Sequence, residues 1–291
     1  MTQPAILVVS CDRYSDLWDP FFEIFRKRWP DCPYPVFLGA NHRAYCGDGV
    51  RSILVGDDRG WGRSLRLMLD RIGVPRVMLF LEDFLILKPV DTGRVQEIAQ
   101  VAAEHNVGCL RLFPHPPPTR RVRGLPGIGE LQPGDDWRVS TQTAIWDTEL
   151  LYSLAWPEFS AWDFESIGSL VSDRMVDRFW GVYDPAIDYR HGVLRGRWMP
   201  SGLAICQNAG VAVDLEARSL LSRTELEPSP LRERVSARGA IERILPDFLY
   251  KAVLRRIRLR RGPAYIEAFK RKAGDVIAER VENCDRMKPG P

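Results

Sequence analysis

Val77-Met78-Leu79-Phe80-Leu81-Glu82-Asp83 is the stretch on which the reading of this 291-residue sequence turns. Five apolar residues in succession describe a strand covered on both faces, because a strand with one wet face alternates apolar and polar side chains. The run then stops at two adjacent carboxylates. Charges at the mouth of a buried strand are costly unless something positive sits beside them.

Working outward, the same grammar repeats. Upstream, Ala5-Ile6-Leu7-Val8-Val9 is a second continuous apolar run, ending in the polar turn Ser10-Cys11-Asp12. Leu17, Phe21, Ile24 and Phe25 then follow helical spacing, with Pro30 as a stop signal. Val36–Leu38 and Ser52–Val55 read as short strands. The polar segment Asp57–Gly62 leads into Leu65, Met68, Leu69 and Ile72, the face of an amphipathic helix. Downstream, Val95, Ile98, Val101 and Ala102 mark a helix, and Cys109–Phe113 a strand. Pro114–Asp136, with six prolines and four glycines, reads as a long functional loop without regular structure. Beyond it come a strand at Ala144–Trp146, a helix through Leu150, Leu151 and Leu154, and a short helix over Ser160–Val171. A strand-like stretch from Ile187 to Trp198 follows, interrupted at Gly192 and Gly196.

Strands alternating with helices predict an α/β fold: a mostly parallel central sheet with helices on both faces, followed by basic helices at the C-terminus. Ligands of such sheets bind at the carboxyl ends of the strands. Asp12, Asp57, Asp58, Glu82 and Asp83 all follow strand-like runs and are expected to converge there. A Mg²⁺ or Mn²⁺ ion held by one or two carboxylates and completed by a diphosphate is the cation that suits the pair Glu82-Asp83.

At these residues the chain resembles GT-A glycosyltransferases, whose nucleotide-sugar site carries an acidic motif, often DxD, after a buried strand. The equivalent here is Leu81-Glu82-Asp83-Phe84, which departs from strict DxD because Phe84 occupies the second acidic position. Asp58-Arg59-Gly60-Trp61-Gly62-Arg63-Ser64, Ser140–Trp146 and Ala161-Trp162-Asp163-Phe164-Glu165 are similar to segments of bacterial polysaccharide glycosyltransferases. The resemblance implies a catalytic domain over residues 1–215, with a donor half at about 1–113 and an acceptor half at about 137–215. Residues 216–291 are expected to form a basic helical extension. It implies a nucleotide-sugar donor bound by Ser10, Asp12, Asp58, Arg63, Glu82, Asp83 and Arg197, and a metal held by Asp83 and His191. Gln142, Trp146 and Trp162 are expected at a glycan or lipid-linked acceptor. Glu165, and after it Asp163, are the candidate general bases of an inverting transfer. Arg195 is a further candidate for the leaving diphosphate, and Trp61 and Trp198 for stacking on sugar or base.

Composition narrows the field. At 45% hydrophobic and 27% charged residues, the chain can bury a substantial core. No apolar run approaches the ~20 residues that span a bilayer, and Ala5–Val9 is short for a signal-peptide core, so a cytoplasmic location is expected. The six cysteines are widely spaced, without a CxxC pair, which disfavours a zinc ribbon or disulfide scaffold. No P-loop, nucleophile elbow or HExxH motif occurs. Net charge is +3, but Ile241–Pro291 holds 13 Lys/Arg against 7 Asp/Glu. That basic, amphipathic tail is expected to touch the inner face of a membrane rather than nucleic acid. Two other functions share the pattern: a nucleotidyltransferase on a similar sheet, and a catalytically silent glycan-binding or assembly protein.

Overall fold

A computed structural model of the chain describes residues 3–222. The basic helices expected from Ile241 onward, and with them the membrane contact and nearly all of the 216–291 extension, lie outside the described residues. Among those described, no helix is long and apolar enough to cross a membrane.

The core is one nine-stranded sheet. Its strands are β1 (Ala5–Val9), β2 (Val36–Ala40), β3 (Val50–Leu54), β4 (Arg76–Leu81), β6 (Val107–Arg111), β7 (Arg120–Arg121), β8 (Ile128–Glu130), β9 (Ala144–Asp147) and β10 (Arg178–Val182). Their order across the sheet is β3-β2-β1-β4-β9-β6-β10-β8-β7. β1 runs parallel to both β2 and β4, β2 parallel to β3, and β10 parallel to β6. β9 is inverted and wedged between β4 and β6, with Leu79 opposite Ala144 on one side and Leu110 opposite Ile145 on the other. The expectation of a mostly parallel α/β sheet with helices on both faces is met.

The alternation of side chains along β1 shows why both faces are covered. Ile6 and Val8 enter one apolar cluster with Phe21 and Phe25 of α1 (Trp18–Arg28) and Val95 and Ile98 of α3 (Thr92–Glu104). Leu7 and Val9 enter the opposite cluster with Leu65 and Met68 of α2 (Trp61–Ile72), Leu150 of α4 (Thr148–Leu154) and Phe164 of α5 (Ala161–Ser172). A residue step of two keeps each set on its own side.

Helix ends are set by local chemistry. Asp91 and Asp147 accept the backbone N–H of Arg94 and Leu150 to open α3 and α4. Ser160 opens α5 with a full capping box, in which Asp163 returns the bond to the Ser160 backbone. α2 stops at Gly73, whose φ of 62° only glycine adopts at no cost. Its start packs against another backbone: Gly62 N–H donates to Phe159 O at 2.9 Å, and a side chain at Gly62 would collide with Trp156 O.

Two expectations need correcting. The stretch 114–136 is not structureless, because β7 and β8 extend the sheet beyond β10. Strands of two and three residues, set among prolines and glycines, are too short to leave a period in the sequence. The loop is anchored by the buried Arg111, whose guanidinium donates to His115 O at 3.1 Å and Pro116 O at 2.9 Å. The second correction concerns the residues after the acidic pair. Phe84–Ile86 is itself a strand, β5, paired antiparallel with β11 (Tyr189–His191) in a separate ribbon. Breaks at Gly192 and Gly196 divide the expected Ile187–Trp198 strand into β11, β12 (Val193–Leu194) and β13 (Arg197–Trp198), ahead of α6 (Pro200–Asn208). Residues 211–222 return across β13, with Leu221 N–H donating to Trp198 O at 2.8 Å.

Candidate active site at the carboxyl edge of the sheet

The end of β4 delivers Glu82 and Asp83 into two different environments. Glu82 is 9% exposed, and burial, reinforced by the charge of Asp83, pushes its carboxyl up to about 8. At neutral pH it is mainly protonated. Asp83 Oδ2 instead faces His191 Nδ1 at 3.4 Å. The β5–β11 ribbon makes this meeting: His191 pairs with Phe84, and Gly192 N–H donates to Asp83 O at 2.7 Å. Two residues 108 positions apart are thereby held by backbone bonds on adjoining strands.

Asp83 and His191 are the residues expected at a metal. They offer one carboxylate and one imidazole, with the histidine side chain 58% exposed and the aspartate 16%. Among the described residues no group of three His, Cys, Asp or Glu forms a preformed cage. The donor set therefore fits an ion whose remaining positions are filled by substrate phosphates and water.

At the end of β1, Ser10 Oγ accepts from Trp18 Nε1 at 2.8 Å. Asp12 was expected at the donor, yet its oxygens are already engaged: Oδ1 accepts from the backbone N–H of Asn41 at 3.0 Å and of His42 and Arg43 at 3.2 Å. It clasps the exit of β2. At the end of β3, Asp57 pairs with His42 Nε2 at 3.1 Å, and Asp58 Oδ1 accepts from Gly60 N at 3.2 Å as the chain turns into α2. Arg63 stands beside Asp57, His42 and Ser64 in a cavity of about 400 Å³. The field of Asp58 and that of Glu82 both reach Cys11, which places the ends of β1, β3 and β4 around one space.

The inverted β9 brings a second wall. Because it runs against its neighbours, its entry segment Ser140–Thr143 lies at the edge where the parallel strands end. Gln142 Nε2 donates to His115 O. Thr141 donates twice to Glu165 Oε1, from N and from Oγ1, both at 2.8 Å. Tyr189 is buried nearby, and burial raises the proton affinity of its phenol, with the charge of Asp83 adding to the shift. Trp162, one helical turn before Glu165, is 79% exposed.

Three expected residues are placed otherwise. Trp146 is fully buried between Phe164 and Phe179 and cannot meet an acceptor. An aromatic residue on the central inverted strand is core by position. Asp163 turns Oδ2 to the Ser160 cap, accepting from Ser160 Oγ at 2.7 Å. Arg197 reaches Ser219 Oγ at 3.2 Å and Leu220 O at 2.9 Å, holding the returning chain. Trp198 is also buried, and Trp61 packs on Phe164 with centroids 5.0 Å apart. Sequence reasoning missed Tyr189, Asn41, Asp16 and Arg218. Tyr189 had a readable signal, lying two residues before His191 on the same strand; the others had none.

No protein-family model matches the sequence, and no curated protein matches it. Several solved structures do. The chain is similar to a fragment (1–349) of TarS from S. aureus at 14% identity, over 65% of this chain and 60% of that one, with a TM-score of 0.43. It is similar to the mannosyltransferase PcManGT from Pyrobaculum calidifontis, in complex with GDP-Man and Mn²⁺, at 14% identity over 67% and 59% of the two chains, with a TM-score of 0.43. A UDP-glucose pyrophosphorylase complexed with UDP-glucose aligns at 8% identity over 65% and 92%, with a TM-score of 0.41. The matched region thus spans less than two thirds of the first and second of these. All three scores fall below 0.5, so the fold assignment rests on the sheet itself: an α/β fold whose strands run mostly one way, with β8 and β9 inverted and acids at the carboxyl edge.

Proposed function

We propose that this chain is a nucleotide-sugar-dependent glycosyltransferase, passing a sugar with inversion from a nucleoside-diphosphate carrier to a glycan or lipid-linked acceptor in cell-surface polysaccharide synthesis. The observation that carries the reading is the pairing of Asp83 with His191 at the carboxyl end of β4, beside the buried Glu82. Asp83 and His191 would hold Mn²⁺ or Mg²⁺, which when bound stabilises the charge on the departing diphosphate.

Glu165 is the base in this reading. Oε1 is fixed by the two bonds from Thr141, while Oε2 has no hydrogen-bond partner among the described residues. The acceptor hydroxyl gives its proton to Oε2 as its oxygen bonds the anomeric carbon. The bond from that carbon to the phosphate oxygen breaks, and the nucleoside diphosphate departs with the electron pair. Trp162, exposed on the same helical face, supports an acceptor bound alongside.

The test is nucleoside-diphosphate release from a panel of uridine, guanosine, thymidine and cytidine donors, with and without acceptors and with Mn²⁺ or Mg²⁺. Release from one donor, lost in Asp83→Asn, is expected. A wild-type protein that neither binds nor turns over any of them overturns the reading.

A further inference from the structure

Arg218 lies outside every motif visible in the sequence, yet it is 8% exposed and committed on all sides. Its guanidinium grips Asp16 with two bonds, Nε to Oδ2 at 2.8 Å and NH2 to Oδ1 at 2.9 Å. NH2 also donates to Arg13 O at 3.2 Å, and NH1 to Gly196 O at 2.7 Å. The plane lies 4.5 Å over the ring of Tyr14. Arg13, Tyr14 and Asp16 belong to the 3-10 segment Asp12–Leu17, kinked at Tyr14, that leaves the end of β1. Gly196 belongs to the tight turn between β12 and β13, where Arg195 and Gly196 both have positive φ, 53° and 74°. That turn follows the strand bearing His191 by way of Gly192 and β12.

One side chain therefore joins two walls that border the acidic pair. The charges of Arg218 and Asp16 are both felt at Glu82. The chain supporting Arg218 is itself built for the task. Asp214 Oδ1 accepts from the N–H of Glu216 and Ala217 at 2.9 Å, and Trp198 N–H donates to Ser219 O at 2.9 Å. The far end of the same β1 exit is pinned by Asp12 to β2, so the segment between is fixed at both ends.

We infer that Arg218 is a positioning residue for the donor nucleotide: it sets the Cys11–Asp16 wall against the β11–β13 wall, and so fixes the width of the cleft that the nucleoside diphosphate enters. The inference rests on the glycosyltransferase reading above. Stability alone does not explain the arrangement, since a buried ion pair is often replaceable by apolar residues of similar volume. A flat, rigid fork bonding two backbone carbonyls and both oxygens of a carboxylate sets distances, which a lysine ammonium does not reproduce.

The experiment measures affinity for nucleoside diphosphate by calorimetry, and donor KM and kcat, in the full chain carrying Arg218→Lys or Arg218→Gln. Far-UV circular dichroism and melting temperature are recorded beside them. Expected is a weakening of diphosphate affinity and a rise in donor KM of about tenfold or more, with kcat changed by less than about threefold, measured well below the melting temperature. Arg218→Lys should recover only part of the loss. If Arg218→Gln fails to fold, the double variant Asp16→Asn/Arg218→Gln removes both buried charges together and is read in the same way. Folded variants with a lower melting temperature but wild-type affinity and KM would show a structural arginine and overturn the inference alone. Absence of any nucleotide binding by the wild type would sink the glycosyltransferase reading and this inference with it.

Discussion

Two acidic pairs stand out in this chain, Glu82-Asp83 at the end of β4 and Asp163/Glu165 at the start of α5. In the sequence they look alike: two carboxylates among large apolar residues. In the structure each pair has one member withdrawn from ligand chemistry, by different routes. Glu82 is withdrawn by burial, which keeps its proton on. Asp163 is drawn into a helix cap, where one oxygen, Oδ2, accepts both the backbone N–H and the hydroxyl of Ser160. The partners left over, Asp83 and Glu165, each have a held geometry and an open side. A carboxylate's availability is decided by what already occupies its lone pairs, and composition does not report that.

The largest expected effect comes from Asp83→Asn. Removing the charge that faces His191 should cut turnover by at least about 10³, with the fold intact by circular dichroism. Activity within tenfold of wild type would erase the distinction drawn within the first pair. Glu165→Gln comes next: turnover should fall about 10²–10⁴, while binding of nucleoside diphosphate stays within about twofold. Should Asp163→Asn produce that loss instead, the assignment within the second pair is inverted.

The withdrawn members should act on stability rather than rate. The folded protein keeps the Glu82 proton to about pH 8, whereas the unfolded chain loses it near 4.5. The folded state therefore binds more protons in that window, and stability should fall as pH rises through it. Glu82→Gln should remove that part of the slope and raise stability at pH 8 and above, as read from denaturant titrations at several pH values. An unchanged slope would mean that Glu82 ionises normally. The smallest effect is that of Asp163→Ala, which should lower stability by about 1 kcal/mol through loss of the α5 cap, with turnover nearly unchanged. A hundredfold loss of turnover in that folded variant would return Asp163 to the chemistry.

The strands legible in the sequence were those buried on both faces. β1 and β4 wrote themselves as uninterrupted apolar runs because every residue from Ala5 to Val9, and from Val77 to Phe80, is inside. β10 escaped notice: Arg178 at its start is exposed and Gly181 interrupts it, so no run or period remains. The direction of β9 was equally invisible, since burial says nothing of which way a strand runs. At the site, the ends of β1, β3 and β4 followed from the rule for parallel sheets. His191 came from resemblance, and its contact with Asp83 depends on β5, a strand hidden inside what read as an acidic motif. The Asp16–Arg218 clamp spans 202 positions and leaves no local trace.

The inverted β9 has a consequence in time. β4 hydrogen-bonds β1 on one side and β9 on the other, and β6 reaches β4 only through β9. A ribosome that has released the first 113 residues has thus made both banks and no bridge. The apolar β4 waits with one edge bare until Ala144–Asp147 emerges, and bare edges are where newly made chains find one another. Closure of the sheet is therefore a late, long-range event: β9 is the keystone that joins β4 to β6, and β10 must follow before the other edge of β6 is covered.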